Sequence, residues 1–534
     1  MVEQATRRQI LQVGAAVAAG AQPSNAEAIQ IEPQPVFPLS PYLYMQFMEP
    51  LGTTDSSVEA AWDHSRKDWR EDVVAVTQQL VPAMVRWGGI FTDYYRWREG
   101  VGPREKRPFM RNLLWGGYES NQVGTAEFVN FCRRVGAEPL IVVNFESDGR
   151  PRFMEADGSV RSAGAAEAVD WVAYCNQPGH PERTAHGAPE PFRVRFWQIG
   201  NETSYDPNGF DLATAARKTA EFAKAMRQAD PAIELIGWGE DGKGGANWAQ
   251  GMMDAAGEHL RYLAFHHMFN PDSRDKPVLA WGRFRQDPAR TFEQLMDAWR
   301  IHEAKIQRMR ERVRGYPVAL AMTECHYAIP GRNRCEVLST WAAGVSYARL
   351  LNVHERHGDL LKIATAADFC GTRWQVNAVM IPVPGGQSFL MPVAHVMGLY
   401  RRHGGEQALR VKQAPSDLDV TASRTGGRVW LHVVNTSFQR TVRARFEVGG
   451  RAIASGRIFE IAADPQFEEM GNEPDVLAPK EKQLPGSGEW AFPPASVSAV
   501  ELSPDSPTRG ARLSNPDAPR PTGSVSMVSR RFHR

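Results

Sequence analysis

The sequence predicts an α/β chain, a (β/α)8 barrel of the TIM type with a C-terminal all-β sandwich domain. Three observations carry this expectation. From about residue 42 to 400, short apolar runs alternate with stretches of helical periodicity. From about residue 405 the pattern changes to short alternating runs separated by turn residues. Two of the apolar runs also end in glutamate, at Glu202 and Glu324, and the ends of parallel barrel strands are where catalytic groups collect.

Taken in order, the first 28 residues read as a twin-arginine-type signal peptide. Arg7-Arg8 precedes a mild apolar run, and Ala26-Glu27-Ala28 offers a small-x-small cleavage site. Periplasmic or secreted location is the expectation that follows. Residues 29–400 read as the catalytic barrel, its first residues also suited to the β domain. Strands are expected at 42–47, 83–87, 140–144, 194–199, 233–238, 262–266, 318–323 and 363–367. Helices are expected between them at 67–80, 125–135, 163–174, 212–228, 291–312 and 336–357, each connection long enough for a parallel crossover. Residues 401–503 read as the sandwich, with a hairpin signal where 418–423 leads through Gly426-Gly427 into 429–435. The 504–534 tail, rich in Pro, Ser and Arg, reads as disordered.

Composition narrows the function classes. The 534 residues carry 62 Lys+Arg against 61 Asp+Glu, so no concentrated basic field argues for nucleic acid. No stretch approaches the roughly 20 apolar residues of a membrane span. Five widely spaced cysteines, Cys132, Cys175, Cys325, Cys335 and Cys370, form no zinc pattern, and no glycine fingerprint for a nucleotide is present. The expectation is therefore no cofactor, no metal, no nucleic acid and no membrane, with a homo-oligomer left open. Most of the cysteines read as buried small hydrophobes. A Cys325-His326 catalytic pair is disfavoured, since strand neighbours point to opposite faces. The same argument disfavours His266-His267 as a pair of metal ligands.

The two glutamates carry the chemistry. Phe196-Trp197-Gln198-Ile199-Gly200-Asn201-Glu202 and Val318-Ala319-Leu320-Ala321-Met322-Thr323-Glu324 each end a buried strand in a carboxylate. Glycoside hydrolysis requires such a pair, one as proton donor and one as nucleophile or base.

Further motifs make the reading specific. Val85-Arg86-Trp87-Gly88-Gly89-Ile90-Phe91, Tyr95-Arg96-Trp97-Arg98-Glu99-Gly100, Leu114-Trp115-Gly116-Gly117-Tyr118-Glu119, Gln198-Ile199-Gly200-Asn201-Glu202, Trp374-Gln375-Val376-Asn377 and His395-Val396-Met397-Gly398-Leu399-Tyr400 occur in this order. The series resembles glycoside hydrolase family 51, mostly retaining α-L-arabinofuranosidases. The resemblance implies a retaining exo-α-L-arabinofuranosidase that releases arabinose from plant oligo- or polysaccharide. Glu202 would be its acid/base, Glu324 its nucleophile, and Glu49, Asn201 and Gln375 its sugar contacts. Arg86 is expected to orient a carboxylate such as Glu324, and His266 to bond Glu324 or substrate. Trp97 is expected, with Trp87, Trp115 and Trp374, to offer a face to sugar. The chain departs from the family at Trp87, Ile90, Met268, Phe269 and Cys325, each change removing a polar or aromatic contact. A retaining glycosidase for a different furanoside, a β-glucan or a xylan is the alternative. A carbohydrate-binding protein without turnover and a cofactor oxidoreductase are weaker ones.

Overall fold

The computed structural model describes residues 26–504, apart from 54–56, 151–152, 156 and 243–244. The expected leader and tail therefore lie almost wholly outside the described residues. Eight strand positions close a curled parallel sheet: β1 (Gln46–Met48), β2 (Met84–Trp87), β3 (Glu138–Val143), β4 (Phe196–Ile199), β5 (Glu234–Trp238), β6 (Tyr262–Phe269), β7 (Ala319–Tyr327) and β8 (Leu361–Ala364). A further strand, β9 (Asp368–Gly371), shares the eighth position with β8. The β8 strand pairs with β7, and β9 returns to β1 through Asp368 opposite Phe47. These strands are almost entirely buried, which is why they read as near-continuous apolar runs.

Several expected strands differ from the observed ones: β6 and β7 run on to Phe269 and Tyr327, past the expected ends at 266 and 323, so His266 and Glu324 lie within them. The 42–47 run opens as a 3-10 turn, Pro41–Tyr44, because Ser40 Oγ accepts the Tyr42 N–H and Pro41 presets the first position. Only Gln46–Met48 is left as strand. The 363–367 run is interrupted at Thr365, whose hydroxyl donates to the Ala367 carbonyl and supports a kink between β8 and β9.

The helices that matter for the site are α1 (Leu212–Ala229), α2 (Ala298–Arg312) and α3 (Trp341–Arg356). In α1, Asp211 caps the Thr214 N–H, and Ala215, Thr219, Phe222 and Met226 form the buried stripe that the 3.6-residue period requires. The expected 291–312 helix is two, Pro288–Met296 and α2, meeting at Asp297. Residues 407–502 form a largely antiparallel sheet around a second apolar core that includes Ile29, Leu431, Phe446 and Val500. Glu27–Pro38 joins this sheet, antiparallel to Gln407–Gln413 and parallel to Val442–Val448.

Polar groups join the two layers. Glu355 of α3 receives the hydroxyls of Tyr44 and Thr421 and lies 2.8 Å from His432 Nδ1, while Asp419 takes Arg349, Arg356 and Asn352.

Candidate active site

A cavity opens at the C-terminal ends of the barrel strands, walled by Phe47, Glu49, Ile90, Trp115, Glu202, Met268, Glu324, His326, Arg334, Asp368, Trp374 and Asn377. Carboxylates dominate its polar surface. Arg334 lies over Trp374, 3.6 Å from the ring centroid.

Glu202 is held in a left-handed conformation, φ +54°, just beyond β4. Non-glycine residues pay about 1–3 kcal/mol for such backbone, so the surroundings must hold it. Asp148, buried, receives the Asn201 N–H at 3.3 Å and the Thr203 hydroxyl. Arg150 donates to the Glu202 carbonyl at 2.6 Å and the Asn201 carbonyl at 3.2 Å, and pairs with Asp93 at 2.8 Å. Gly200 is required in this loop: a Cβ there would stand 2.5 Å from Thr203 Oγ1.

Glu324 is set by a register shift. Phe265 faces Met322 and His266 faces Glu324, so Thr323 is the extra residue of a bulge, a device that re-aims side chains. Arg86 Nη1 donates to Glu324 Oε1 at 2.9 Å; its other nitrogens donate to Asn201 Oδ1 at 2.6 Å and Gln198 Oε1 at 3.0 Å. His266 Nδ1 lies 3.0 Å from Glu202 Oε1 and 3.6 Å from Glu324 Oε2. The three groups converge, with ligand atoms within 4.8 Å of one another. Burial holds His266 neutral, its pKa lowered to about 4 against the pull of Glu324. Burial also raises Glu324, which His266 and the Arg86 charge oppose. Glu240 holds the His266 backbone, accepting its N–H at 2.9 Å and the Tyr205 hydroxyl at 2.7 Å while paired with Lys305.

Glu49 follows β1 and accepts the Phe91 N–H at 3.0 Å. Burial and the nearby Glu324 charge lift it well above the ordinary carboxylate range. Gly89, at φ +89°, makes room for it, since a Cβ there would stand 2.3 Å from the Glu49 carboxyl carbon.

Glu49, Arg86, Asn201, Glu202, His266 and Glu324 thus come together. The Asn201 Nδ2, next to Glu202 in the chain, is buried and makes no hydrogen bond among the described residues; Asn201 is not among the lining residues. Trp97 corrects the expectation: it is buried away from the cavity, stacked on Trp171 at 5.9 Å with its indole N–H on the Glu167 carbonyl. Gln375 is not among the lining residues; its backbone N–H donates to the Asn333 carbonyl, while its neighbours Trp374 and Asn377 face the cavity. Phe269 likewise turns outward, stacked on His267 at 4.2 Å, whereas Ile90 and Met268 do line the wall. Cys325 faces the helix layer and is fully buried. Sequence reasoning missed His326 and Asp368, 3.0 Å apart, and Arg334. His326 carried a signal, lying two residues beyond Glu324 on one strand; Arg334, on an irregular loop, carried none.

Two family models match the chain, "Alpha-L-arabinofuranosidase 1 domain" over residues 76–297 and "Alpha-L-arabinofuranosidase C-terminal domain" over residues 325–496. A relative from Acetivibrio thermocellus, "Intracellular exo-alpha-(1->5)-L-arabinofuranosidase", is 30% identical over 246 residues, 44% of this chain and 46% of that protein. "Alpha-L-arabinofuranosidase C" of Emericella nidulans is 36% identical over 182 residues, 33% of each. The aligned stretches thus span less than half the length of these curated relatives. In fold, the chain is similar to the Thermotoga maritima α-L-arabinofuranosidase solved as an arabinose complex, with a TM-score of 0.71 at 22% identity, covering 89% of this chain and 99% of that one. The expectation of a periplasmic or secreted location is corrected: the A. thermocellus relative and other bacterial relatives are named as intracellular enzymes. A basic pair and an apolar run are a short, low-information signal, and residues 1–25 lie outside the described structure. Strand-end glutamates, barrel and matching family models converge on one identification: the chain belongs to the arabinofuranosidase-like proteins of glycoside hydrolase family 51.

Proposed function

We propose that the chain is a retaining exo-α-L-arabinofuranosidase acting on arabinose-bearing oligo- or polysaccharide. The observation that carries this reading is the convergence of Glu202 and Glu324 on His266, with one carboxylate oxygen of each within 4.8 Å of the other. Retaining enzymes hold their carboxyls about 5–5.5 Å apart, and inverting ones about 6.5–9.5 Å to admit a water. The names of the curated relatives support arabinofuranoside as the substrate class.

In this reading Glu324 attacks the anomeric carbon while Glu202 protonates the departing oxygen, giving a glycosyl ester on Glu324. Glu202, now charged, takes a proton from water, which cleaves the ester with net retention. His266 and the Arg86 charge oppose the rise that burial imposes on Glu324. A neutral His266 has one N–H to give. With the Thr323 hydroxyl 3.0 Å from Nε2 as donor, the N–H sits on Nδ1, between the two carboxyls. It can follow the negative charge from Glu324 in the free enzyme to Glu202 in the glycosyl-enzyme. Asn201 and Glu49 supply polar contacts for sugar hydroxyls.

A second reading, a retaining glycosidase for another sugar, is favoured by one observation. Ile90 and Met268 give the cavity an apolar wall where the family offers asparagine and tyrosine. A panel of nitrophenyl glycosides, with Glu324→Ala as blank, separates the two. Fastest turnover on arabinofuranoside supports the first, and fastest turnover on another glycoside supports the second. Equal traces for wild type and blank on every substrate would reject both.

A further inference from the structure

Behind the catalytic strands lies a second cluster that sugar chemistry does not use. The β6 and β7 strands present His266 and Glu324 to the cavity, so their successors His267 and Cys325 point the other way, toward the helices. They are direct cross-strand neighbours. From α2, His302 reaches down between them, fully buried. Its Nδ1 lies 3.0 Å from His267 Nδ1 and 3.9 Å from Cys325 Sγ, and the three atoms all lie within 4.8 Å of one another.

From this convergence of two imidazoles and a thiol we infer a metal site that binds one thiophilic ion, Zn2+ or Cu+. Tetrahedral zinc with ordinary bond lengths sets its ligand atoms roughly 3.3 Å apart for two nitrogens and about 3.6 Å for nitrogen and sulfur. The observed 3.0 Å is about 0.3 Å shorter than the first value and the observed 3.9 Å about 0.3 Å longer than the second, with all three atoms within 4.8 Å. One sulfur and two imidazole nitrogens suit zinc or cuprous copper and exclude Mg2+ and Ca2+, which take oxygen. Orientation is also provided for. His302 Nε2 is 2.8 Å from His354 Nε2 on α3, the outer contact that directs the other ring nitrogen inward. Phe269 stacks on His267 and shields the cluster.

Binding exchanges one proton for the ion: the Cys325 S–H bond breaks, sulfur bonds the metal, and the proton leaves to solvent. Two neutral imidazoles contribute lone pairs, and no electron is transferred. The ion would tie β6 and β7 to α2, directly behind the residues that carry the chemistry. This departs from the sequence expectation of no metal, which weighed short zinc-spacing patterns and chain neighbours. Here the third ligand comes from a helix 35 residues beyond His267.

The test is metal content. Full-length protein is produced in zinc-supplemented, copper-supplemented and metal-depleted media, passed through chelator-treated buffer, and analysed by plasma mass spectrometry. Expected is about one equivalent of zinc or copper per wild-type chain from the matching medium, falling at least tenfold in Cys325→Ser and in His302→Gln. Cobalt supplied during expression should give wild type, and not Cys325→Ser, a thiolate-to-cobalt charge-transfer band. Should the variants not fold, wild-type stoichiometry and the cobalt band decide. Less than about a tenth of an equivalent of either metal in wild type, with no cobalt band, overturns the proposal. Full retention of metal in both folded variants overturns it as well.

Discussion

Arg86 Nη1 donates to Glu324 Oε1 across 2.9 Å, spanning the barrel interior from β2 to β7 with the guanidinium fully buried. The same guanidinium holds Asn201, two positions beyond the end of β4 and next to Glu202, so one fork aligns both catalytic glutamates. Burial pushes Glu324 upward and the Arg86 charge pulls it down. In Arg86→Gln the pull is gone and the carboxyl protonates at higher pH. The acidic limb of kcat/KM should therefore move to higher pH, and less so in Arg86→Lys, which keeps charge but loses the fork. Losing one charged hydrogen bond costs about 1.5–3 kcal/mol, roughly one to two orders of magnitude in kcat/KM. An acidic limb unchanged in Arg86→Gln would reject this role.

Glu324→Ala should abolish turnover of every glycoside, with azide restoring it as a glycosyl azide of inverted configuration. Glu202→Ala should slow poor leaving groups far more than activated aryl ones, by roughly 10²–10⁴-fold. Proton NMR of the first-formed sugar should report retention. Net inversion would remove the nucleophilic role from Glu324.

Gly89→Ala tests the seat of Glu49. The new methyl would meet the Glu49 carboxyl, and φ +89°, ψ −169° is a conformation that glycine alone adopts readily. Strain of about 1–3 kcal/mol is expected, with a rise in KM as Glu49 moves. Unchanged KM in a folded variant would show that Glu49 does not contact the sugar.

Ile90→Asn probes the apolar wall. A sugar hydroxyl facing Ile90 without a partner loses roughly 1–3 kcal/mol, so asparagine should raise kcat/KM on arabinofuranoside by one to two orders of magnitude. If the variant only loses activity there, another group already serves that hydroxyl.

The contact between barrel and sandwich should be acid-sensitive. Burial alone would raise Glu355, but His432, Thr421 and Tyr44 outweigh it and hold the carboxyl below its usual value. A depressed folded pKa contributes stability that is complete above the unfolded value of about 4.3 and lost as pH falls through the lower folded value. Melting curves of wild type and Glu355→Gln should differ at neutral pH and converge below about pH 4. A gap that stays constant down to pH 3 would exclude this linkage.

By itself the sequence determined the alternation of eight apolar runs with helices, the change to β pattern near residue 405, and the two glutamates that follow apolar runs, one just beyond β4 and one within β7. These are local signals: a strand buried on both faces must be apolar, and a carboxylate at its end stands out. Arg86 and His266 stood out as polar residues within the apolar runs of β2 and β6, and Asn201 and Glu49 because each follows a strand. Only the tertiary structure decided that Trp97 packs on Trp171, that Phe269 turns outward, and that His326 meets Asp368. It alone brought His302 from a helix to His267 and Cys325. A period of two says that neighbours face opposite ways, and leaves open which face is the cavity. The Thr323 bulge and the packing of residues far apart in the chain settle that, through contacts whose partners no local pattern names.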